Sequence, residues 1–429
     1  MHKPKFGFLS PQPYMKDALE EMKSFADITV LDPKNWESDI AKSIAQCKSE
    51  NILSVGGFAQ KDAFSHILIN EGLGQKAPSR LAFLYCMNKY LMRTLESNPN
   101  YFDWVDPLTE TNQEIADKIK EWPFMLKNTS LSLGRGVFKI ESKEKLFTIL
   151  DEYRADTTLQ QGIADNYSHF MNGIDKADLP EIIPPFIAEH YVDMTKAIEY
   201  CYEGYIDGEG NVVHYALTEE VYFQNHQALG YITPTISVGP EVAKQVGSWV
   251  DDYMGRLVDL GYVNQFFNIE FWIMPDGEIA FVEINPRAAH SYHYNYELSF
   301  GNSLFGDNLK LAAGLPITDE TPWNKWSNGQ AGKYTLIVLM TAKEIGRAGD
   351  ILDYDLIEQL YNQGEIDYVR HTRQANDVLT ESDMTSAGVM LIQFWISGTK
   401  EEVIAKEREI RAKAYKKSQE LPEYPTAWK

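Results

Sequence analysis

Residues 268–287 read NIEFWIMPDGEIAFVEINPR. Two apolar runs flank Pro275-Asp276-Gly277, so the segment reads as a β-hairpin. Each run carries one acid, Glu270 in the first and Glu283 in the second, thirteen residues apart. Side chains alternate between faces along a strand, so a hairpin of that span can set both carboxylates side by side. Asn285 and Arg287 follow Glu283 at i+2 and i+4 and share its face, until Pro286 ends the regular pairing. Two acids on one face repel unless a cation lies between them. Glu270, Glu283 and Asn285 offer only oxygen donors, which suits Mg²⁺ or Mn²⁺ and not zinc. Mg²⁺ usually bridges one or two carboxylates to substrate phosphates, so the chemistry suggested is nucleotide-dependent phosphoryl transfer. Arg287, always charged, would orient a carboxylate or stabilise a phosphoryl oxygen. By spacing alone the two acids read equally well as exposed groups on a solvated hairpin.

Upstream, residues 123–140 read PFMLKNTSLSLGRGVFKI. A strand delivers Lys127, a loop follows with Thr129, Ser130, Ser132, Gly134 and Gly136, and a second strand begins at Val137. The amides and hydroxyls of such a loop can cradle phosphate, and Lys127 can reach an α- or β-phosphate as a point charge. A plain flexible hairpin has the same composition. In residues 187–200, IAEHYVDMTKAIEY, an apolar strand ends on Glu189, which could accept from an adenine amino group. Glu199 on the next strand could accept ribose hydroxyls. Either acid also reads as an ordinary surface glutamate. Residues 80–95 have the pattern of one long helix carrying Lys89 and Arg93.

The rest of the chain supplies the frame. Residues 1–80 alternate strands (5–9, 27–31, 51–55) with helices (14–25, 37–47, 59–68), the pattern of a small doubly wound parallel sheet. Gly56-Gly57 closes the third strand, as a plain turn or as a ligand-facing edge. Residues 97–107 read as a turn-rich linker, and 122–314 as an α+β block with hairpins and one long amphipathic helix at 240–260. Residues 323–332 read as a Trp/Asn/Gly-rich connector. The tail carries strands at 333–341 and 387–396 and helices at 355–363 and 400–417. A net charge of −22 argues against nucleic acid and against an anionic membrane surface as partners. No apolar run approaches the roughly 20 residues of a membrane helix. The N-terminus lacks an apolar core long enough for a signal peptide. Cys47, Cys86 and Cys201 are dispersed and odd in number, which argues against a disulfide framework or a cysteine metal site and sets a cytoplasmic location as the expectation.

The order of these pieces is a helix lysine, a strand lysine with a Ser/Gly loop, a hinge-like glutamate, then Glu…Glu-x-Asn-x-Arg. In that order the chain resembles the ATP-grasp superfamily over nearly its whole length, most specifically in FVEINPR (281–287) preceded by NIEFW (268–272). The resemblance implies an N-terminal doubly wound parallel α/β domain (1–97), an ATP-grasp domain with the nucleotide and metal site (98–314) and a C-terminal α+β subdomain (315–429). It implies ATP with Mg²⁺ or Mn²⁺ as cofactors, and phosphate contacts from Lys89 and Lys127. Ser130, Ser132, Gly134 and Gly136 match the lid. Glu189, His190, Tyr191 and Val192 match the adenine hinge, mostly through backbone, and Glu199 the ribose contact. Glu270, Glu283 and Asn285 match the metal ligands. Arg287, with Lys127 and Glu283, stands at the reacting groups. The lid departs from the family pattern, because it has two glycines where carboxylase members carry a longer run.

The sequence after Arg287, AAHSYHYNYELSFGNSLF, bears on the branch. Biotin-carboxylase-like members would have Gln-Val-Glu-His soon after this arginine. Ala288-Ala289-His290-Ser291 stands there instead, and no Ala-Met-Lys-Met carrier motif occurs. The tail is similar to the C-terminal subdomain of stand-alone L-amino-acid and dipeptide ligases. The expected activity is therefore ATP-dependent ligation of a small-molecule carboxylate to an amine, through an acyl phosphate, with amino acids as the favoured substrates. No covalent nucleophile is needed, and no G-x-S-x-G or Cys-His pairing stands out. A homodimer is the assembly many relatives suggest. The alternatives are a biotin-carboxylase-like bicarbonate-activating enzyme and a catalytically silent ATP-binding regulator. His290, Tyr292, His293, Tyr294 and Tyr296 read as a substrate pocket beside the metals, or as aromatics packed into the core. His290 and His293 could also share a metal, with no third ligand evident. His226, in FQNHQALGY, lies where related enzymes have a substrate-side loop.

Overall fold

The computed structural model describes residues 3–34, 38–99, 102–132, 134–193, 197–225, 227–317, 320–330, 332–384, 388–416 and 422–428. The alternation read in the first eighty residues folds as expected. Strands β1 (Lys5–Leu9), β2 (Asp27–Leu31) and β3 (Ser54–Gly56) form a parallel sheet in the order β2–β1–β3. The connections are helical, and buried Phe6, Phe8 and Val55 anchor the sheet. Gly7 is required at its centre, since a Cβ there would meet Val55 Cγ1 at 2.7 Å.

The long helix expected over 80–95 is two helices, Arg80–Met87 and Lys89–Thr94. Asn88 between them is extended, and its side chain accepts from the Tyr90 and Leu91 amides as the cap of the second helix. Helical periodicity continues through the break, which is why the pattern hides it. The break makes Lys89 the first residue of its helix, and its amide donates to the Thr129 carbonyl at 2.9 Å.

Strands β4 (Phe102–Val105), β5 (Phe124–Asn128), β6 (Val137–Ile140) and β7 (Phe186–His190) form an antiparallel sheet, β4–β7–β5–β6. The stretch read as a linker thus contains β4, whose four residues pair with β7. Two helices not read from the sequence, Lys143–Ala155 and Thr157–Met171, follow β6. Ser142 and Asp156 cap them, and the first buries Leu146, Ile149 and Leu150 in the core of this sheet.

The third sheet has eight strands. They are β8 (Ile198–Ile206), β9 (Val212–Tyr222), β10 (Ala228–Thr233), β11 (Gln265–Ile273), β12 (Ile279–Asn285), β13 (Tyr334–Ala342), β15 (Tyr368–His371) and β17 (Val389–Gly398). Their order is β12–β11–β8–β9–β10–β13–β17–β15, so the tail strands extend the sheet that begins with the hairpin. Strand β10 escapes the sequence pattern because a register shift interrupts its pairing with β9. Gly346–Arg347 (β14) and Val378–Leu379 (β16) form a separate ribbon. The amphipathic segment folds as a short 3-10 turn leading into the helix Ala243–Asp259, which covers the β8–β11–β12 side of the sheet. The Trp-rich connector is the helix Pro322–Ser327, capped by Thr321, with Trp323 and Trp326 buried. Among the described residues no helix is long and apolar enough to cross a membrane. Cys47, Cys86 and Cys201 are buried free thiols.

Candidate active site

The β11–β12 register pairs Glu270 directly with Glu283 and Asn268 with Asn285. The two acids are neighbours on a sheet face, and they are not solvated hairpin acids. Burial first, then Glu283 and Glu220, pushes the Glu270 carboxyl well above the usual carboxylate range. Asn285 Nδ2 donates to Glu270 Oε1 at 3.3 Å, and an Arg287 guanidinium nitrogen donates to Asn285 Oδ1 at 3.4 Å. Lys89 Nζ lies 3.2 Å from Glu283 Oε2 and donates to the Leu131 carbonyl at 2.7 Å. One lysine therefore ties the carboxylate pair to the Ser/Gly loop.

The same face continues onto β8 and β9. Register places Cys201 beside Glu270 and Glu203 beside Asn268. Glu220 on β9 accepts from Cys201 Sγ (3.2 Å) and from the Tyr222 hydroxyl (2.7 Å), which also donates to Glu199 at 2.8 Å. Burial raises Glu199, with Glu220 and Glu270 adding to it. Glu203 accepts from the Ala289 amide and from Asn268 Nδ2, each at 3.0 Å, yet burial still pushes it up to about 8. Glu203 and Glu220 were not picked out from the sequence. Their signal is an acid at an alternate position of an otherwise apolar strand.

A cavity of about 210 Å³ opens between β5–β6–β7 and β8–β11–β12. Lys127, Glu189, His190, Tyr191, Val192 and Glu199 line it, with Met125, Val137, Trp272 and Phe281 as apolar walls. The structure thus brings these six of the residues expected at the nucleotide to one cavity, whose lining does not include Lys89, Ser130, Ser132, Gly134 or Gly136. One expectation changes. The Glu189 carboxylate is not free to accept from an adenine, because it takes Lys127 Nζ at 2.7 Å and Arg93 at 2.8 and 3.0 Å. Burial would raise this carboxyl, and Arg93 and Lys127 outweigh it and hold it below the usual range. Arg93 also donates to the Val282 carbonyl at 2.8 Å and lies over the Phe281 ring. The His190 ring turns outward to Glu121 at 2.9 Å. In the loop, the Asn128 side chain accepts from the Ser130 amide at 3.0 Å, and the Ser132 carbonyl accepts from the Arg135 amide at 3.3 Å. Gly136 has φ +69°, and a Cβ there would meet Asn128 Cβ at 2.7 Å, whereas Gly134 at φ +69° faces open space.

His226 lies outside the described residues. His293 is a core residue and not a substrate contact. Its ring is fully buried and stacked on Phe305 at 4.1 Å, and burial lowers its pKa to about 3. Tyr292 and Tyr296 are also buried, donating to Cys201 Sγ (3.0 Å) and sharing a hydrogen with Thr218 (3.2 Å). His290 differs. Its Nδ1 shares a hydrogen bond with the Tyr14 hydroxyl of the N-terminal sheet region, and burial, Arg287 and Arg370 hold its pKa near 3. The two histidines have different neighbours and do not converge on one point.

The raised carboxyls predict how stability depends on pH. Burial pushes Glu96 up to about 7, and Glu203 and Glu297 up to about 8. Between its unfolded value of about 4.5 and its folded value, each binds more protons folded than unfolded, so stability falls as pH rises. Buried His66, His290 and His293, lowered to about 4, 3 and 3, act in the opposite sense below about pH 6.5. Between about pH 6.5 and 8 only the carboxyl contribution remains. The metal-free melting temperature is expected to drop across that window, as calorimetry would read. A flat or rising profile contradicts the burial of these acids.

No family model matches the sequence, and no curated protein matches it. Solved structures do match over nearly the whole chain. An L-amino acid ligase from Bacillus licheniformis superposes with a TM-score of 0.69 at 14% identity, covering 96% of this chain and 98% of that one. N5-carboxyaminoimidazole synthase from Aspergillus clavatus, in complex with ADP and 5-aminoimidazole ribonucleotide, gives 0.62 at 15% identity, covering 95% and 98%. The biotin carboxylase domain dimer of Hydrogenobacter thermophilus 2-oxoglutarate carboxylase, with MgADP, ADP and bicarbonate, gives 0.59 at 14% identity, covering 96% and 91%. The chain has the fold that these structures share.

Proposed function

We propose that the protein is an ATP-dependent ligase joining the carboxylate of one small molecule to the amine of another. The observation that carries this reading is the Glu270–Glu283 cross-strand pair facing Lys89. Beside that pair opens a cavity lined by Lys127 and Glu199. The donor set fits Mg²⁺ or Mn²⁺: it is all oxygen, and two crowded carboxylates, one with a raised pKa, are relieved by a dication. Glu270, Glu283 and Asn285 would hold the metal, which when bound neutralises and orients the nucleotide phosphates.

The residues then divide the work. The apolar walls and the backbone of 190–192 bind the adenine, and Glu199 takes the ribose. Lys89 and Lys127 exchange their carboxylate partners for phosphate oxygens. The γ-phosphoryl passes to a substrate carboxylate oxygen as its bond to ADP breaks. The amine nitrogen then attacks the acyl carbon, a C–N bond forms, and the C–O bond breaks. Phosphate leaves with the electron pair, and the nitrogen loses a proton. Arg287 stabilises the oxygens that gain charge in both steps. Arg287→Ala is accordingly expected to lower turnover about 10²–10³-fold while nucleotide affinity stays near wild type. Phosphate-release kinetics beside a nucleotide titration would read this, and an equal loss of both would place Arg287 in nucleotide binding instead.

The sequence after Arg287 and the likeness to the amino acid ligase favour an amine over bicarbonate as the second substrate. The test is ADP and phosphate release with Mg-ATP against amino acids, other carboxylates with amines, and bicarbonate. Release that needs both a carboxylate and an amine supports the ligase. Release with bicarbonate alone moves the protein to the carboxylase branch.

A further inference from the structure

The sheet β4–β7–β5–β6 has a cavity on each face. Side chains alternate along β5, so Met125 and Lys127 line the nucleotide cavity while Asn128 turns to the other face. There a second cavity, of about 180 Å³, lies between the sheet and the helices Lys143–Ala155 and Thr157–Met171. Phe138, Ile149, Tyr153, Leu159 and Phe186 wall it, and Tyr153 meets Phe186 edge to face at 4.9 Å. Leu131 and Gly136 of the Ser/Gly loop also line it.

One polar group at this cavity is unsatisfied. Asn128 is 1% exposed, and its Nδ2 has no hydrogen-bond partner among the described residues. The Ser130 backbone N–H can only donate, so the side-chain atom that accepts it at 3.0 Å is Oδ1, and the atom left over is the donor Nδ2. A buried donor without an acceptor carries a free-energy cost that a bound oxygen removes. Glu152 and Asp156 stand exposed at the rim, and no cation lines the cavity among the described residues. The oxygen that meets Nδ2 is therefore a neutral one, since a carboxylate or phosphate would face two acids. An apolar cavity of about 150 Å³ holds benzene, so this one takes a branched aliphatic or small aromatic group.

We propose that this cavity is a second ligand site, for a small molecule combining an apolar group, a neutral carbonyl and an ammonium, and that its occupancy is coupled to nucleotide binding. The carbonyl accepts from Asn128 Nδ2, the apolar group lies among Phe138, Ile149, Leu159 and Phe186, and the ammonium stays at the rim with Glu152 and Asp156. The coupling runs through Asn128. Its backbone amide donates to the Gly136 carbonyl at 2.7 Å and its side chain holds the Ser130 amide, so it ties down both ends of the loop. In the same loop the Leu131 carbonyl holds Lys89 at 2.7 Å. An occupant bonded to Asn128 and packed on Leu131 and Gly136 therefore acts on the loop that faces the nucleotide phosphates, and linkage makes the effect reciprocal. The inference goes beyond the ligase reading and needs only its nucleotide.

The experiment is calorimetric titration of the full chain with three probes that share an isobutyl group. L-Leucinamide carries the carbonyl and the ammonium, 3-methylbutanamide lacks the ammonium, and 3-methylbutanoate replaces the carboxamide by an anion. Affinity is expected to fall in that order, with the ammonium adding about 3–5-fold and the anion losing at least about 10-fold. Leu159→Trp fills the cavity and abolishes leucinamide binding. Glu152→Gln, at an exposed position, removes most of the ammonium's gain and leaves 3-methylbutanamide unchanged. Asn128→Asp keeps the acceptor for the Ser130 amide, turns the donor into an oxygen, and weakens both carboxamides at least about 10-fold. Melting curves establish that each variant is folded. Saturating leucinamide shifts the Kd of MgATP at least about 5-fold, and the shift vanishes in Leu159→Trp. No saturable leucinamide binding, binding that survives Leu159→Trp, or one MgATP affinity with and without leucinamide overturns the proposal. If MgATP itself does not bind, the ligase reading fails separately, and the probe titrations of wild type and the variants decide the site.

Discussion

In Glu283→Gln, phosphate release falls about 10²–10³-fold or more, and nucleotide binds more weakly whenever Mg²⁺ is present. Glutamine keeps the shape of the side chain and its cross-strand position opposite Glu270, so the hairpin is preserved. Lys89 keeps its bond to the Leu131 carbonyl, so the tie to the loop also survives. What disappears is one of two charges that make the face attractive to a dication. Glu270 also changes, since Glu283 is the charge that most raises its carboxyl after burial. With Glu283 neutral, Glu270 ionises more easily and retains a single anionic ligand. Nucleotide titrations with and without Mg²⁺ separate the effects. A loss confined to the Mg²⁺ titration supports the carboxylate pair as the metal's holder. Wild-type turnover in this variant would remove the pair from the site altogether.

Legibility in the sequence followed the range of the interaction. The hairpin was readable because its chemistry is local, with turn, alternation and both acids inside twenty residues. Strands β1 and β2 likewise occupy the residues read from the sequence, although β1 buries Phe6 to Leu9 and β2 only Leu31. The break at Asn88 was hidden because a polar residue that caps one helix also fits the polar stripe of a longer one. β4 was hidden because four residues carry too little periodicity, and their strand character comes from pairing with β7, some eighty residues away. The same holds within the site. Lys127, Glu189 and Glu199 could be placed by motif order. That Glu189 is held by Arg93 could not, because the two are ninety-six residues apart and nothing local joins them. His290 and His293 look alike in sequence, and only Tyr14 and Phe305 distinguish them.

Arg93→Met is expected to destabilise the protein by about 3–5 kcal/mol, the largest effect on folding among residues near the site. Arg93 is 3% exposed and Glu189 7%, so neither charge can be left to water. The variant removes the fork on Glu189, the charge facing Glu96, and the donor to the Val282 carbonyl. It also leaves Lys127 as the sole cation on a buried carboxylate. That gives the variant a second, functional signature. Lys127 must leave Glu189 to reach a phosphate, and it leaves easily only while Arg93 remains to compensate the carboxylate. Arg93→Met should therefore weaken nucleotide binding as well as stability, although Arg93 need not touch a phosphate. The double variant Arg93→Met/Glu189→Leu tests both consequences. It removes the orphaned charge along with its partner, and replacing a buried pair by apolar groups is often near neutral. Urea midpoints should recover most of the loss, and nucleotide affinity should recover with them because Lys127 is no longer held. A single variant within about 1 kcal/mol of wild type would mean that Lys127 alone compensates Glu189. A double variant that regains stability without regaining affinity would place Arg93 in direct contact with the nucleotide.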